Sequence, residues 1–130
     1  MKRCPALRNL SNEHHQGLVL AKRAKRAAGT EDAQRVWQEI RDRFAAELEP
    51  HFRAEENGLL PALERIGKAG LVQQTLDEHT ELRRLVGENS APAMTGFAEL
   101  LERHIRFEER ELFETAQQEL SPAELDKLAH

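Results

Sequence analysis

The sequence predicts an all-α protein, an up-down-up-down bundle of four helices followed by a short C-terminal helix. Charged residues make up 32% of the chain and there are only 7 glycines and 5 prolines, which favours helices. Tyrosine is absent and phenylalanine numbers 5, which disfavours a β-sandwich. Apolar residues recur at steps of three and four along four segments that are separated by short turns. Four helices that each bury one face are expected to pack as a bundle.

The first helix is expected to follow an extended lead-in formed by residues 1–10. Ser11 is a suitable N-cap, because its side-chain oxygen can accept a hydrogen bond from a free N–H of the first turn. The apolar residues then continue to about Ala28, and Gly29 is suited to the residue that follows a helix end. We therefore predict a first helix over residues 11–28.

The second helix is expected to begin at Thr30 as its N-cap and to continue to about Ile66. Pro50 and Pro61 fall within this range, and a proline inside a helix removes one backbone hydrogen bond and usually causes a kink. The apolar stripe keeps its phase through both prolines. We therefore predict one long bent helix, with a break at Pro50 as the alternative.

Two further long helices and one short helix complete the predicted bundle. The third helix is expected over residues 71–88 and the fourth over residues 93–120, with a turn between them. Ser121 and Pro122 then form a typical start for a terminal helix, with serine at the N-cap and proline at the first helical position.

Two segments share one histidine–glutamate pattern. Residues 49–60 read EPHFRAEENGLL and residues 102–113 read ERHIRFEERELF. Residues four apart share one face of an α-helix, so His51 lies beside Glu55 and His104 lies beside Glu108. Both pairs fall within the apolar stripe of their helix, where an isolated carboxylate would be costly to bury. The pattern therefore suggests that the two pairs share a metal site.

The two other long helices each place one histidine on the same kind of stripe. His79 falls in phase with the apolar residues of the third helix. His14 lies about 40° from the centre of the stripe of the first helix and His15 about 140° away, by the 100° turn per residue. His14 is therefore expected to point inward, and His15 is the alternate if the helix start frays. Four inward histidines and two carboxylates at i+4 favour a metal site over separate core histidines.

Composition and charge exclude several other classes of protein. The net charge is −4 and the sequence pI about 5.9, so nucleic acid is not an expected partner. The basic run at residues 22–26 has no interleaved aromatic residues and fits a solvated helix face.

Cys4 is the single cysteine and cannot form an internal disulfide. Without a signal segment or membrane span, one cytoplasmic domain is expected over residues 1–130, with its core bundle at about 10–118.

The order of these residues resembles the hemerythrin-like, HHE cation-binding domain. The resemblance rests on EHH near the start, on HFRAEENGLLPAL in the second helix, and on the order His, His-x-x-x-Glu, His, His-x-x-x-Glu. It spans about residues 10–118 and implies a four-helix bundle that holds two irons. The implied nitrogen ligands are His14 (with His15 as alternate), His51, His79 and His104, and the implied bridging carboxylates are Glu55 and Glu108.

The sequence departs from hemerythrin proper at one position. The third helix of hemerythrin proper carries two histidines four residues apart, whereas Thr75 precedes His79 here and Arg83 follows it. Four imidazoles, two bridging carboxylates and a bridging oxygen would fill roughly ten of the twelve positions around two octahedral metals. About two positions would then remain for water, oxygen or peroxide. Three glutamates next to ligands in sequence are alternatives for completing a coordination sphere: Glu56, Glu78 and Glu109.

Several functions are compatible with such a site. The first is binding of oxygen or a related small ligand at an open position of a di-iron centre, in storage, sensing or detoxification. The second is a redox enzyme that acts on peroxide or nitric oxide, and the third is an iron-responsive interaction module with a protein partner left open. No organic-substrate pocket or separate general acid is evident, so a binding protein is favoured over an enzyme. Histidine with carboxylate suits iron, or alternatively manganese, better than magnesium or structural zinc.

The same residues lead to an expectation for the metal-free protein. Glu55 and Glu108 would then be two carboxylates buried in one core. Desolvation and mutual repulsion both raise the pKa of a carboxyl group, so the metal-free bundle is expected to be penalised near neutral pH.

Overall fold

The computed structural model describes residues 3–128, which form five helical stretches connected by short turns. Helix α1 spans Pro5–Ala27, and α2 is a continuous helical run over residues 33–65. Helix α3 spans Ala69–Val86, α4 is a second continuous run over residues 91–119, and α5 spans Pro122–Leu128. No strand occurs between residues 3 and 128. The prediction of an all-α bundle with a short C-terminal helix is confirmed.

The start of α1 differs from the sequence prediction. The helix begins at Pro5, with Cys4 in extended conformation at the N-cap position, so residues 5–10 are helical rather than extended. Residues 1 and 2 of the predicted lead-in lie outside the described residues. Ser11 lies inside the helix, where its hydroxyl donates a hydrogen bond of 2.8 Å to Glu109. Proline at the first helical position lacks only an N–H that would have no partner in the helix, which suits this earlier start.

The turns at the two ends of α2 contain glycines in the left-handed conformation. Gly29, with φ of +81°, follows α1 as predicted, and Gly67, with φ of +85°, follows α2. The prediction that Thr30 caps α2 is wrong. The Thr30 hydroxyl donates to the carbonyl of Ala27 at 2.7 Å, and α2 begins only at Ala33.

Side-chain caps mark the starts of α4 and α5. The Ser90 hydroxyl accepts a hydrogen bond from the N–H of Ala93 at 3.1 Å. Ser121 accepts from the N–H of Glu124 at 3.1 Å, and the Glu124 carboxylate accepts from the N–H of Ser121 at 3.2 Å. This reciprocal pair is a capping box and confirms the predicted start of the terminal helix.

Helix α2 stays continuous through both prolines because it contains two π-helical turns. Each π turn ends two residues before a proline, Pro50 or Pro61, so the local expansion accommodates a residue that has no N–H to donate. The prediction of one long helix is confirmed. The successive segments of α2 are Ala33–Arg43, the π turn Phe44–Leu48, Glu49–Ala54, the π turn Glu55–Leu59, and Leu60–Arg65.

Helix α4 contains a π turn that no proline explains. It spans Glu108–Leu112, between the α-helical segments Ala91–Phe107 and Phe113–Glu119. This turn begins at Glu108, just as the second π turn of α2 begins at Glu55. The two segments with the shared histidine–glutamate pattern therefore also share a widened turn, a feature that is frequent at functional sites.

The bundle has two apolar clusters with a polar layer between them. Helix α1 packs against α2 and α4, and α3 packs against the same two helices. One cluster is built around Trp37, Phe44 and Phe97, and the other around Leu63 and Phe113. On each of the four long helices, buried polar residues lie between the two clusters. Within residues 3–128, no helix is long and apolar enough to cross a membrane.

Candidate metal centre

The polar layer consists of the six residues that the sequence singled out, together with one threonine. Each of the four long helices contributes an imidazole, and α2 and α4 each add a carboxylate. None of the six is more than 4% exposed. The buried polar and charged residues of the described chain are His14, His51, Glu55, Thr75, His79, His104 and Glu108.

The six residues form two groups of potential metal donors. One group contains His14 and His51, and the other contains His79 and His104. Both groups include Glu55 and Glu108, and the donor atoms within a group all lie within 4.8 Å of one another. Because the two groups share both carboxylates, the geometry fits two neighbouring cations with two imidazoles each.

The orientation of Glu55 places its two oxygens toward different groups. Its Oε2 atom lies 3.3 Å from Nε2 of His51, and its Oε1 atom lies 3.1 Å from Nε2 of His79. A carboxylate oriented in this way can bind one cation with each oxygen. Glu55 therefore has the position of a bridge between the two groups.

Glu108 has the same arrangement on the opposite helix. Its Oε1 atom lies 2.7 Å from Nε2 of His14, and its Oε2 atom lies 3.2 Å from Nε2 of His104. The two bridging positions thus come from the two segments that share the sequence pattern.

Among residues 3–128, six buried side-chain atoms that face this space have no hydrogen-bond partner. Buried polar groups are normally paired, because an unpaired one costs about 1–3 kcal/mol, and more when it is charged. Each of the six has a lone pair that a cation can accept, so the residues present fit a metal pair. The unpaired atoms are Nε2 of His51, His79 and His104, both oxygens of Glu55, and Oε2 of Glu108.

A second ring of glutamates contacts the outer nitrogen of each histidine; we call these four residues the outer glutamates. Each lies next to a site residue in sequence, and each holds a carboxylate oxygen 2.6–2.8 Å from an Nδ1 atom. The pairs are Glu13 with His51, Glu56 with His79, Glu78 with His104, and Glu109 with His14.

The outer glutamates orient the imidazoles toward the metal positions. A carboxylate that accepts the Nδ1–H of a histidine leaves the lone pair of Nε2 directed inward and makes that nitrogen more basic. Glu56, Glu78 and Glu109 were the alternatives for completing a coordination sphere. In the structure they contact the ring nitrogens that point outward, and neither donor group includes them. Glu13 was not among the predicted site residues, although it directly precedes His14, just as Glu78 directly precedes His79.

Two arginines support the outer glutamates. Arg3 lies 3.1 Å from Glu109. Arg83 lies 2.9 Å from Glu56 and 2.7 Å from Glu49, and its guanidinium lies over the ring of Phe52 at 5.6 Å.

Phe52 also orients one of the histidines. Its ring stacks on His79 with 3.9 Å between the centroids. The Arg83 guanidinium, the Phe52 ring and the His79 imidazole thus lie against one another in that order in space. These contacts hold the side chains on the side of the site that α2 and α3 form.

The first helix presents His14 to the site and His15 to the surface. His14 is 4% exposed and stacks on Phe113 with 5.1 Å between the ring centroids. His15 is exposed and lines a surface cavity together with Leu18 and Arg106. This is the orientation expected from the phase of the helix. His130, the sixth histidine, lies outside the described residues.

Thr75 lies four residues before His79, at one of the two positions where the second histidine of the hemerythrin pattern would fall. It is fully buried, and its hydroxyl donates to the carbonyl of Leu71 at 2.8 Å, within its own helix. Arg83, four residues after His79, is directed to Glu49 and Glu56. Within residues 3–128, neither candidate metal group therefore contains more than two imidazoles.

The carboxylates raise the pKa of the buried imidazoles. Burial alone lowers the pKa of His51, but attraction to Glu55 and contacts with Glu108 and Glu13 outweigh it and raise the pKa to about 12. Burial is likewise outweighed at His104 and His79. Attraction to Glu108 raises the pKa of His104 to about 10. Contacts with Glu108 and Glu55 raise the pKa of His79 to about 9.

The pKa of Glu108 is lowered rather than raised, which contradicts the expectation for the metal-free protein. Burial raises the pKa of this carboxyl, but attraction to His104 and contacts with His14 and His51 hold it well below its usual range. The expectation rested on desolvation and on repulsion between two carboxylates, without protons on the four surrounding imidazoles. Without metal, protons on those imidazoles compensate the buried charge.

Comparison with known proteins agrees with this geometry. The family model for the hemerythrin HHE cation-binding domain matches residues 5–116. No curated protein and no solved structure matches the chain.

Proposed function

Because the chain belongs to the hemerythrin HHE cation-binding family, we propose that its site holds two iron ions and binds oxygen or a related small ligand at an open metal position. Such binding would serve oxygen storage, sensing or detoxification. The observation that carries the proposal is the pair of donor groups that share Glu55 and Glu108. A single cation would use only one group and would leave buried donors of the other without a partner.

The charges around the site support two cations. The two bridging and four outer glutamates carry a formal charge of −6 when the imidazoles are neutral. Arg3 and Arg83 offset part of this charge, although each also pairs with a further glutamate, Glu114 or Glu49. Two divalent cations would offset most of what remains. Buried charges are tolerated only when they are paired, so loading with two cations is the expected state.

The donor set favours iron. Imidazole nitrogen mixed with carboxylate oxygen suits iron and manganese, whereas magnesium prefers oxygen ligands alone. Cys4 is half-buried and is not part of either donor group, so the thiolate ligands typical of structural zinc sites are not found in the described donor groups. Manganese is the alternative metal.

The residues of the chain would hold and orient the metal pair. The four Nε2 atoms and the two carboxylates would bind it, and the outer glutamates would keep the imidazoles in the required tautomer. The two apolar clusters restrict water on both sides of the polar layer. A non-haem iron pair supplies open coordination positions and redox electrons for small oxygen- or nitrogen-containing molecules.

Turnover of peroxide or nitric oxide is a second candidate function. It is favoured by Thr75, because two imidazoles in each donor group would leave more open positions than five histidines do. Reversible binding and turnover differ in whether oxygen can be removed again without a reductant.

Anaerobic loading with ferrous iron tests both functions. After removal of free metal, elemental analysis is expected to find about two irons per chain. An absorption band that develops in air and is reversed by degassing supports oxygen binding, whereas irreversible oxidation supports turnover. One iron per chain, or replacement of iron by zinc at full occupancy, would contradict the di-iron proposal.

A further inference from the structure

One of the outer glutamates is much more exposed than the other three. The side chain of Glu13 is 52% exposed, compared with 29% for Glu109, 22% for Glu56 and 19% for Glu78. Within residues 3–128, His51 is the only hydrogen-bond or ionic partner of Glu13. At Glu13, solvent is therefore separated from an imidazole of the candidate metal centre by a single side chain.

Two cavities lie on either side of Glu13, and its side chain lines both. The larger has a volume of about 450 Å³ and lies between α1, the second π turn of α2 and the C-terminal helix α5. The smaller has a volume of about 180 Å³ and lies between α1 and the part of α2 around Pro50. Both cavities therefore lie along the interface between α1 and α2 at Glu13; we call this interface the α1–α2 seam.

Small side chains keep the larger cavity open. Ala6 on α1 and Ala54 and Gly58 on α2 line it, and α5 closes its far side with Lys127 and Leu128. A Cβ atom at Gly58 would lie 3.1 Å from Cδ2 of Leu128, so the end of α5 rests directly on this glycine. Glu55 lies on the opposite, buried face of the same π turn and does not line the cavity, so Glu13 is the residue that connects the cavity to the site through its contact with His51.

We propose that the α1–α2 seam at Glu13 is the route by which small ligands reach the metal pair, and that the Glu13 carboxylate favours uncharged ligands over anions. The inference rests on the proposed function, because it requires a metal pair that binds small ligands. The other three outer glutamates are more deeply covered, so of these four contacts the one at Glu13 is the most open to solvent.

The charge of Glu13 has a predictable effect on selection. An anion that passes a carboxylate at ~4 Å in water is disfavoured by about fivefold, whereas an uncharged molecule of the same size is not. Lys127 is an exposed cation on the α5 side of the cavity, but Glu13 is the group that contacts His51. Salt screens this repulsion, so selection is expected to weaken at high ionic strength.

Stopped-flow binding of azide and nitric oxide to the ferrous protein tests the route. Glu13→Gln keeps an oxygen that can accept the Nδ1–H of His51, but it removes the charge. The ratio of the azide rate to the nitric oxide rate is expected to rise about fivefold at low salt and to return toward the wild-type ratio at about 1 M salt. The nitric oxide rate itself reports any change at the metal.

Glu31→Gln is the matched control. It removes the same charge from the turn beyond the end of α1, about 20 Å along the helix axis from Glu13, and is expected to leave the ratio unchanged. Ala54→Trp should narrow the cavity and slow both ligands. An unchanged ratio in Glu13→Gln, or an equal rise in Glu31→Gln, overturns the inference.

Iron content measured before mixing separates this inference from the proposed function. Failure of the wild-type protein to hold about two irons would contradict the proposed function itself. Two irons in every variant, with ligand rates that do not respond to Glu13 or Ala54, would overturn the route alone.

Discussion

Nε2 of His14 lies 2.7 Å from Oε1 of Glu108, although 94 residues separate the two in sequence. The other oxygen of this carboxylate faces His104, one helical turn away on the same helix. Glu108 thus contacts two imidazoles. The geometry of α4 brings His104 close to it, and the packing of α1 against α4 brings His14 close to it. Glu55 connects His51 and His79 in the same way. Two such connections join the four helices at one polar layer, and the predictions below follow from it.

Replacement of His14 and of His15 should have different effects on metal content. His14→Ala removes one of the two imidazoles of a donor group and is expected to lower the iron content by about half. His15→Ala changes an exposed residue and is expected to retain the wild-type content. Elemental analysis after anaerobic loading and desalting measures both. Equal losses, or a loss only in His15→Ala, would be inconsistent with His14 as the ligand.

The metal-free protein should lose stability as the pH rises. The folded-state pKa values of His79, His104 and His51 are about 9, 10 and 12, above the ordinary 6.5, so their protons stabilise the folded state. This contribution is complete below pH 6.5 and is lost as the pH rises through the folded-state values. Thermal melts of chelator-treated protein between pH 6 and 10 should show a falling melting temperature.

Metal-loaded protein is the control for this dependence. Metal-bound imidazoles carry no proton at Nε2, so metal affinity should rise with pH and the stability difference between loaded and metal-free protein should widen. A metal-free protein as stable at pH 10 as at pH 6 would show that the imidazoles are not protonated in the folded state.

Glu55→Gln combined with Glu108→Gln should abolish metal binding and destabilise the metal-free protein. Removal of both carboxylates leaves the Nε2 side of the buried imidazolium groups without a counter-charge, although the outer glutamates still face Nδ1. Breaking one buried ion pair typically costs about 3–5 kcal/mol. Urea unfolding at pH 7 should therefore show a lower free energy of unfolding than for metal-free wild type, with a smaller difference above pH 10. A double variant as stable as metal-free wild type at pH 7 would contradict this account of the charges.

Loss of an outer glutamate should weaken metal binding and leave the fold intact. Glu78→Ala frees the Nδ1–H of His104 and is expected to lower the affinity for cobalt(II) by about 10–100-fold. Glu81→Ala is the matched control on the same helix, because Glu81 is partly exposed and pairs with Arg84. Titration by visible absorbance measures the affinity, and circular dichroism checks the helix content. Equal affinities in the two variants would show that the Glu78 contact does not support the ligand.

The starts of α1 and α2 show where sequence signals were ambiguous. Pro5 and Ser11 are both suitable helix-start residues, and local chemistry does not choose between them. The earlier start is accompanied by fully buried Leu7 and by contacts of Arg3 with Glu109, about a hundred residues away. Thr30 also has the chemistry of an N-cap, yet its hydroxyl bonds back to α1. Contacts with distant parts of the chain are not visible in a local pattern.

The inward positions of His51, Glu55, His104 and Glu108 could be predicted from the sequence, because a helix has a fixed turn per residue and the apolar residues mark its buried face. The continuity of α2 through Pro50 followed from the same phase. The role of the outer glutamates did not follow, because helix geometry turns each of them about 100° away from its neighbour at the site. Which imidazole lies in that direction depends on the neighbouring helix.

The sequence by itself determined the all-α bundle and six polar positions on its inner faces, because these depend on periodicity within single helices. Only the tertiary structure decided which oxygen of Glu55 or Glu108 faces which imidazole, that Glu13 contacts His51, and that a cavity lies beside that contact. These features depend on how far each helix slides and rotates against its neighbours. That register is set by the packing of many side chains against side chains from distant segments. No single stretch of sequence contains both partners of such a contact.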